Sequence, residues 1–331
     1  MTNTVSLAPA IEQHVPALFL DDSQVDYSKA PTPMEFAVAA MIPMAEVSVL
    51  AAESNVGKTH SMLDLALSIA KPDKPRKFLG NPVLVSGPVM ILSAEETREQ
   101  LIGRMNLIDA QARTKAAMGG HPIYYAGKGD LRGQVLFEGP SCQATGLFDD
   151  LRSWAMNVRP KLIFLDTAST IAAVNLDANN DTAAAMMRRL GLLATETGAA
   201  VVLAHHFAQN GKPTDWRNAA AAVRGAGSIV NVSRSTIVVT HAPQDVADRA
   251  VDAGLSDKPY YVKISCVPKL NDPAWDPTIK VLVRDTVNHG YRDVTHDVPY
   301  FPGSRGKSSA SSDVDVSAVA KPSRGRPKKA A

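Results

Sequence analysis

Between residues 33 and 301 the chain alternates short apolar runs with stretches whose apolar residues recur every three or four positions. Runs at 47–51, 89–92, 161–165, 200–203, 234–240, 260–267 and 279–283 read as strands. Many are apolar at consecutive rather than alternate positions, which predicts strands covered on both faces. Helical spacing marks 58–70, 97–116, 143–158 and 182–197; in the first, Met62, Leu65, Ala66 and Ile69 fall on one stripe. Strands separated by helices predict an α/β domain, a mostly parallel sheet with helices on both faces. The last strands follow one another without a long helix between them, so an antiparallel extension of the sheet is expected. The pattern fades at both ends. Residues 1–32 are polar and punctuated by proline and read as an arm or linker, 33–303 as one domain, and 304–331 as a Ser/Ala/Gly/Pro/Lys tail expected to be disordered when free. No internal repeat is visible.

Composition narrows the classes. A chain of 331 residues, 45% hydrophobic and 21% charged, can bury a globular core. No apolar run approaches the roughly 20 residues that cross a bilayer, so no membrane partner is expected. The first 22 residues lack a basic segment ahead of an apolar one, which argues against a secretion signal and for a cytoplasmic protein. Cys142 and Cys266 are too few and too isolated for a zinc site or a disulfide framework. The net charge of +2 conceals an asymmetry. From Ser304 onward seven Lys/Arg face two Asp, a net of +5, which leaves the remainder at −3. A slightly acidic body carries a basic tail.

The chemistry begins at Ala52-Glu53-Ser54-Asn55-Val56-Gly57-Lys58-Thr59-His60. An apolar strand precedes this segment and a helix follows, which is the context a phosphate-binding loop requires. The start of the helix would point backbone N–H groups and the positive end of its dipole at a phosphate. Lys58 would reach the β- and γ-phosphates of a nucleotide such as ATP, and Thr59 would place its hydroxyl on Mg²⁺. The pattern departs from G-x-x-x-x-G-K-[ST] at its first position, Ala52. Asn55 occupies a turn position where glycine is easiest, but asparagine tolerates left-handed backbone geometry.

Three further strands end in polar residues. Leu162-Ile163-Phe164-Leu165-Asp166 delivers a carboxylate from a buried strand about a hundred residues after the loop, as a Walker B aspartate does in holding Mg²⁺. Met90-Ile91-Leu92-Ser93-Ala94-Glu95-Glu96 ends in two carboxylates. One suits activation of the attacking water, with Glu95 the better placed; the other suits the first turn of the next helix. Val201-Val202-Leu203-Ala204 leads into His205-His206. Adjacent strand residues point to opposite faces, so a metal pair is disfavoured and a polar contact that senses the γ-phosphate is expected from one of them. Asp177 and Asp181 read as solvated or capping residues.

The ordered set Gly57-Lys58-Thr59, Ser93-Ala94-Glu95, Leu165-Asp166-Thr167 and His205-His206 resembles the RecA-like P-loop ATPases, and within them the RepA family of hexameric plasmid-replication helicases. Arg224-Gly225-Ala226-Gly227-Ser228 and Val267-Pro268-Lys269-Leu270-Asn271 fit the same pattern, so that the resemblance covers about 40–285. It implies a RecA-like P-loop NTPase core that hydrolyses Mg-ATP between the subunits of a homo-hexameric ring. Glu95 would be the base, and the His205-His206 motif would couple nucleotide to DNA. Arg224 would be an arginine finger reaching a neighbour's nucleotide, and Lys269 a second basic residue acting between subunits.

Two segments suggest contact with DNA. By the same resemblance, the loops at 168–181 and 207–222 would face the ring's channel. The second carries Lys212, Trp216 and Arg217, basic groups with an aromatic ring for stacking on a single strand. The tail segment Arg324-Gly325-Arg326-Pro327-Lys328-Lys329 resembles an AT-hook, an extended Gly-Arg-Pro core for the narrow A·T minor groove of duplex DNA. A generic basic tail that touches phosphates is the plainer reading. The function expected is an ATP-driven DNA motor of the replicative-helicase kind. A recombination or strand-annealing ATPase with the same core, and a regulator or loader that uses ATP as an assembly switch, remain open.

Overall fold

Strands buried on both faces must alternate their side chains between two cores, and these do. The computed structural model describes residues 26–29, 33–71, 76–108, 120–176, 180–207, 219–220, 223, 227–272, 275, 277, 279–285 and 290–300. Six parallel strands are β1 (Val47–Ala52), β2 (Val89–Ser93), β3 (Ile123–Ala126), β4 (Leu162–Asp166), β5 (Ala200–His206) and β6 (Ser235–His241). Three antiparallel strands, β7 (Val262–Leu270), β8 (Lys280–Arg284) and β9 (Tyr291–Asp293), extend the sheet beyond β6. The order across the nine strands is β9-β8-β7-β6-β1-β5-β4-β2-β3. This is the α/β fold that the apolar pattern predicts, antiparallel extension included.

Along β1, Val47, Val49 and Ala51 enter one core while Leu50 and Ala52 enter the other. In β4, Ile163 and Leu165 oppose Leu162 and Phe164 in the same way. Helix α1 (Lys58–Ala70) covers one face, where Met62, Leu63, Leu65 and Ile69 are no more than 1% exposed. Each such side chain contributes about 1.5–3 kcal/mol of transfer free energy. Helix α2 (Arg98–Ile108) joins that layer through Leu101 and Met105. Helices α3 (Gly146–Val158) and α5 (Asn180–Thr197) cover the other face through Phe148, Leu151, Met186, Met187 and Leu190. The short helices α4 (Ala168–Ile171), α6 (Gly227–Val232) and α7 (Gln244–Asp252) pack on this second core.

Differences from expectation are local. The edge strand β3 and the three-residue β9 lack the long apolar run that marks a buried strand. Helix α2 is described only to Ile108, so the expected continuation to 116 lies outside the described residues. The chain separates into two units, Met1–Glu35 and Phe36–Ala331. In the first, Ser28 donates its N–H and hydroxyl to Asp26 Oδ1, closing a small turn. Among the described residues no helix is long and apolar enough to cross a membrane.

Candidate functional site

Sheet register sets the frame of the site. β5 lies between β1 and β4, with His206 opposite Ala52, and β4 lies beside β2, with Asp166 opposite Ser93. All four strands are parallel, so their C-terminal ends open onto one rim. The residues just past those ends are the ones that the motifs single out.

The loop from β1 into α1 takes two left-handed residues, Asn55 at φ 62° and Gly57 at φ 96°. Asparagine thus adopts the geometry expected of it. Gly57 begins α1, a 13-residue helix, and makes no side-chain cap hydrogen bond to it. An anion is the natural complement to such a helix start. Val56 is buried and pins the middle of the loop, while Ser54 and Asn55 are exposed. Glu53 ties the loop's first residue to β6, with its N–H donated to Val239 O and its Oε2 accepting from the His241 N–H.

Lys58 projects from the first turn of α1 and is 9% exposed. Its Nζ lies 3.8 Å from Asp166 Oδ1 and 3.5 Å from His206 Nε2. Burial pulls its pKa down, against the opposing pull of Asp166 and Glu95. Thr59 donates its hydroxyl to Asp166 Oδ2 at 3.2 Å. Asp166 is fully buried, and burial raises its pKa although Lys58 acts to lower it. Its Oδ1 meets no hydrogen-bond donor among the described residues. A buried carboxylate oxygen left in this state, with a threonine hydroxyl on its other oxygen, suits a hard divalent cation. Mg²⁺ binds through one or two protein oxygens and completes its shell with phosphate oxygens and water, so the two residues fit that ion. No cluster of three or more His, Cys, Asp or Glu able to hold a metal occurs among the described residues.

Glu95 faces the same space. Its Oε1 lies 3.5 Å from His206 Nε2 and accepts the Thr167 hydroxyl at 2.9 Å. The His206 contact, then the Thr167 hydrogen bond and the Lys58 charge, hold its carboxyl down at about 2 against the effect of burial. Glu96 turns away and pairs with Arg104 Nε on α2 at 2.8 Å. The two carboxylates therefore divide as their positions suggest, one toward the loop and one onto the helix. The histidines divide too. His205 is 1% exposed, and His206 stands between Lys58 and Glu95. A single nitrogen, Nε2, meets both. As a donor it serves Glu95, and as an acceptor it serves Lys58, so its tautomer decides which contact holds.

Other expected residues lie elsewhere. Lys269 does not meet the loop. Its Nζ donates to Val230 O at 2.6 Å, Asn231 O at 2.7 Å and Ser233 O at 2.5 Å, capping the end of α6. Asp181 sits in the first turn of α5, as a capping residue would. In the segment 168–176, Ala168, Ile171, Ala172 and Leu176 are buried in the core beneath α5, and no basic or aromatic side chain occurs there. Lys212, Trp216, Arg217, Arg224 and Asp177, and the tail residues Arg324, Gly325, Arg326, Pro327 and Lys328, lie outside the described residues. Sequence reasoning did not single out Thr167 as a partner for Glu95. It also missed Tyr260 and Tyr291, whose hydroxyls bond carbonyls of the phosphate loop.

A phosphate loop at one strand end, with a Thr–Asp pair and a restrained glutamate on neighbouring strand ends, defines a P-loop ATPase. A family model described as an AAA domain matches residues 13–212, more than half of the chain, and the chain belongs to that family. No curated protein matches the chain.

Proposed function

We propose that the chain is an ATP-driven DNA motor of the replicative-helicase kind, hydrolysing Mg-ATP at interfaces between the subunits of a homo-hexameric ring. The observation that carries the hydrolytic part is the Glu95 carboxylate, held by Thr167 and His206 on the side of the loop where Lys58 projects. The DNA part rests on the resemblance of the ordered motifs to hexameric helicases and on the basic tail.

Residues 52–60 bind the nucleotide through the loop N–H groups, and the Lys58 ammonium turns from Asp166 to the terminal phosphates. Thr59 and Asp166 hold Mg²⁺, which supplies neutralising charge to the phosphates when bound. A carboxyl near pKa 2 is a weak proton acceptor at neutral pH. Glu95 therefore orients the attacking water while its two donors stay in place, and becomes a stronger base when they withdraw. When Lys58 moves to the phosphate, His206 Nε2 loses the partner it served as an acceptor and is free to donate to Glu95, which links nucleotide state to the end of β5. Arg224, and Lys269 if its carbonyl contacts open, would complete the site from a neighbouring subunit. Lys212 and Arg217 would face a single strand in the channel, and the tail would hold duplex.

The test is ATP turnover with and without single-stranded DNA, run beside unwinding of forked duplexes of both polarities. Stimulated turnover with ATP-dependent unwinding is expected. Stimulated turnover with annealing and no unwinding would replace the helicase by a recombination ATPase. Nucleotide binding without stimulated turnover would make the chain an ATP-switched regulator or loader.

A further inference from the structure

The antiparallel extension reaches back to the phosphate loop. Tyr260, in the 3₁₀ turn Pro259–Tyr261 ahead of β7, donates its hydroxyl to Asn55 O at 2.6 Å. Tyr291, the first residue of β9, donates to Val56 O at 3.2 Å. Two consecutive carbonyls of the loop are thus held by side chains more than 200 residues away in the chain. β9 is the outermost strand, four places from β1, which in a flat sheet is about 19 Å. Coiling of the sheet closes that gap and brings Gly290 against Asp64 of α1, where a Cβ would lie 3.2 Å from Asp64 Oδ2.

Each hydroxyl fixes more than a carbonyl. In a trans peptide the C=O and the following N–H point in opposite directions. Holding Asn55 O orients the Val56 N–H, which closes the turn on Glu53 O at 3.4 Å. Holding Val56 O orients the Gly57 N–H, at the start of α1. Gly57 has a second reason to be glycine, since a Cβ there would lie 3.1 Å from Tyr291 Oη.

Tyr260 is itself secured. Lys263, 2% exposed, donates to Tyr260 O and contacts His241 Nδ1, both at 2.7 Å, and its ammonium lies 4.2 Å from the centre of the Tyr260 ring. The His241 N–H returns to Glu53 Oε2. The contacts form a circuit from Glu53 through His241, Lys263 and Tyr260 back to Asn55. It encloses residues 53–55, directly after Ala52, where the sequence departs from the glycine-rich pattern.

We propose that Tyr260 and Tyr291 are positioning residues of the nucleotide site, braces that hold the phosphate loop in its anion-binding form before ligand arrives. The proposal rests on the nucleotide-binding reading of the loop and assigns the antiparallel extension a part in it. The braces hold a loop whose left-handed turn at residue 55 is made by asparagine, at φ 62°, rather than by glycine, which takes that geometry at less cost.

The experiment compares wild type with the double variant Tyr260→Phe/Tyr291→Phe, which keeps both rings and removes only the hydroxyls. Amide hydrogen exchange without nucleotide should accelerate at Val56, Gly57 and Lys58 and stay unchanged in β4 and β5. Affinities for ADP and ATP should fall together by about tenfold, the scale of losing one or two neutral hydrogen bonds. kcat at saturating ATP should stay within about twofold while KM rises. A merely structural role would speed exchange across the whole sheet and lower the melting temperature without singling out the loop, and that result overturns the proposal. So does unchanged loop exchange with unchanged affinity. If wild type binds neither nucleotide, the nucleotide reading fails, while the exchange measurement still decides whether the hydroxyls hold the loop.

Discussion

The parallel half of the sheet and its antiparallel extension serve the same loop by different means. From β1, β2, β4 and β5 come the charged and titratable groups: Lys58, Glu95, Asp166 and His206, at or just past the strand ends. From the extension come two hydroxyls on backbone carbonyls and, from β7, a lysine that caps a helix. The difference follows from topology. Parallel strands present their C-terminal ends on one rim, so any residue just past them converges on neighbouring residues. Antiparallel strands alternate their ends, and only side chains with reach contribute. Titratable side chains therefore gather on one half, and hydroxyl contacts to the loop backbone come from the other.

Removing a group from the parallel half should abolish chemistry and spare assembly of the site. Glu95→Gln keeps an oxygen for the Thr167 hydroxyl and loses the charge. ATP binding should persist while turnover falls by roughly 10²–10⁴, the range for losing a general base. Single-turnover hydrolysis checks this, with Glu96→Gln as the comparison. If Glu96→Gln is the inactive protein, the division of labour between the two carboxylates is wrong, since Glu96 is bound to Arg104. Lys58→Ala comes next in size. Loss of a charge-assisted contact to the phosphates should weaken ATP by about 10- to 100-fold, measured by calorimetry on folded protein. Wild-type affinity in that variant would remove the loop assignment altogether.

The same contrast explains what could be read in advance. β2, β4 and β5 carry continuous apolar runs that end in polar residues, and β1 is an apolar run broken only by Ser48 that leads into the phosphate loop, so both the strands and their cargo were visible. β3 was not. Its four residues, Ile-Tyr-Tyr-Ala, are all half-buried at a sheet edge and make no buried run. β9 spans three residues, too few for any period to show. Helix α7 buries only Val246, Ala247 and Ala250, a stripe too slight to stand out. Among site residues, Asp166 and Glu95 were visible because each stands at the end of an apolar strand that follows a phosphate-loop motif. Tyr260 and Tyr291 act on carbonyls 205 and 235 positions away, and nothing in the residue type announces such a bond. Lys269 was legible as a basic residue but not as a helix cap, because its partners are main-chain atoms.

Lys269 offers the smallest and most discriminating test. In the extension its ammonium closes the end of α6 on three carbonyls, satisfying groups that a helix end leaves open and placing positive charge at the negative end of the dipole. Lys269→Met keeps the aliphatic stem and removes the donors. On the division drawn above, the variant should lose about 1–3 kcal/mol of stability, the range for a hydrogen bond to a charged group and a helix-end charge together. Turnover per folded molecule should stay near that of wild type, with urea unfolding and ATPase assays as the paired measurements. If Lys269 instead acts on a neighbour's nucleotide, as the resemblance to ring helicases implies, turnover should fall while stability barely changes, because the ammonium would already have left α6 in the assembled ring. Loss of turnover at unchanged stability would move β7 from the supporting half to the chemical one, and the boundary between the two would then run through the extension itself.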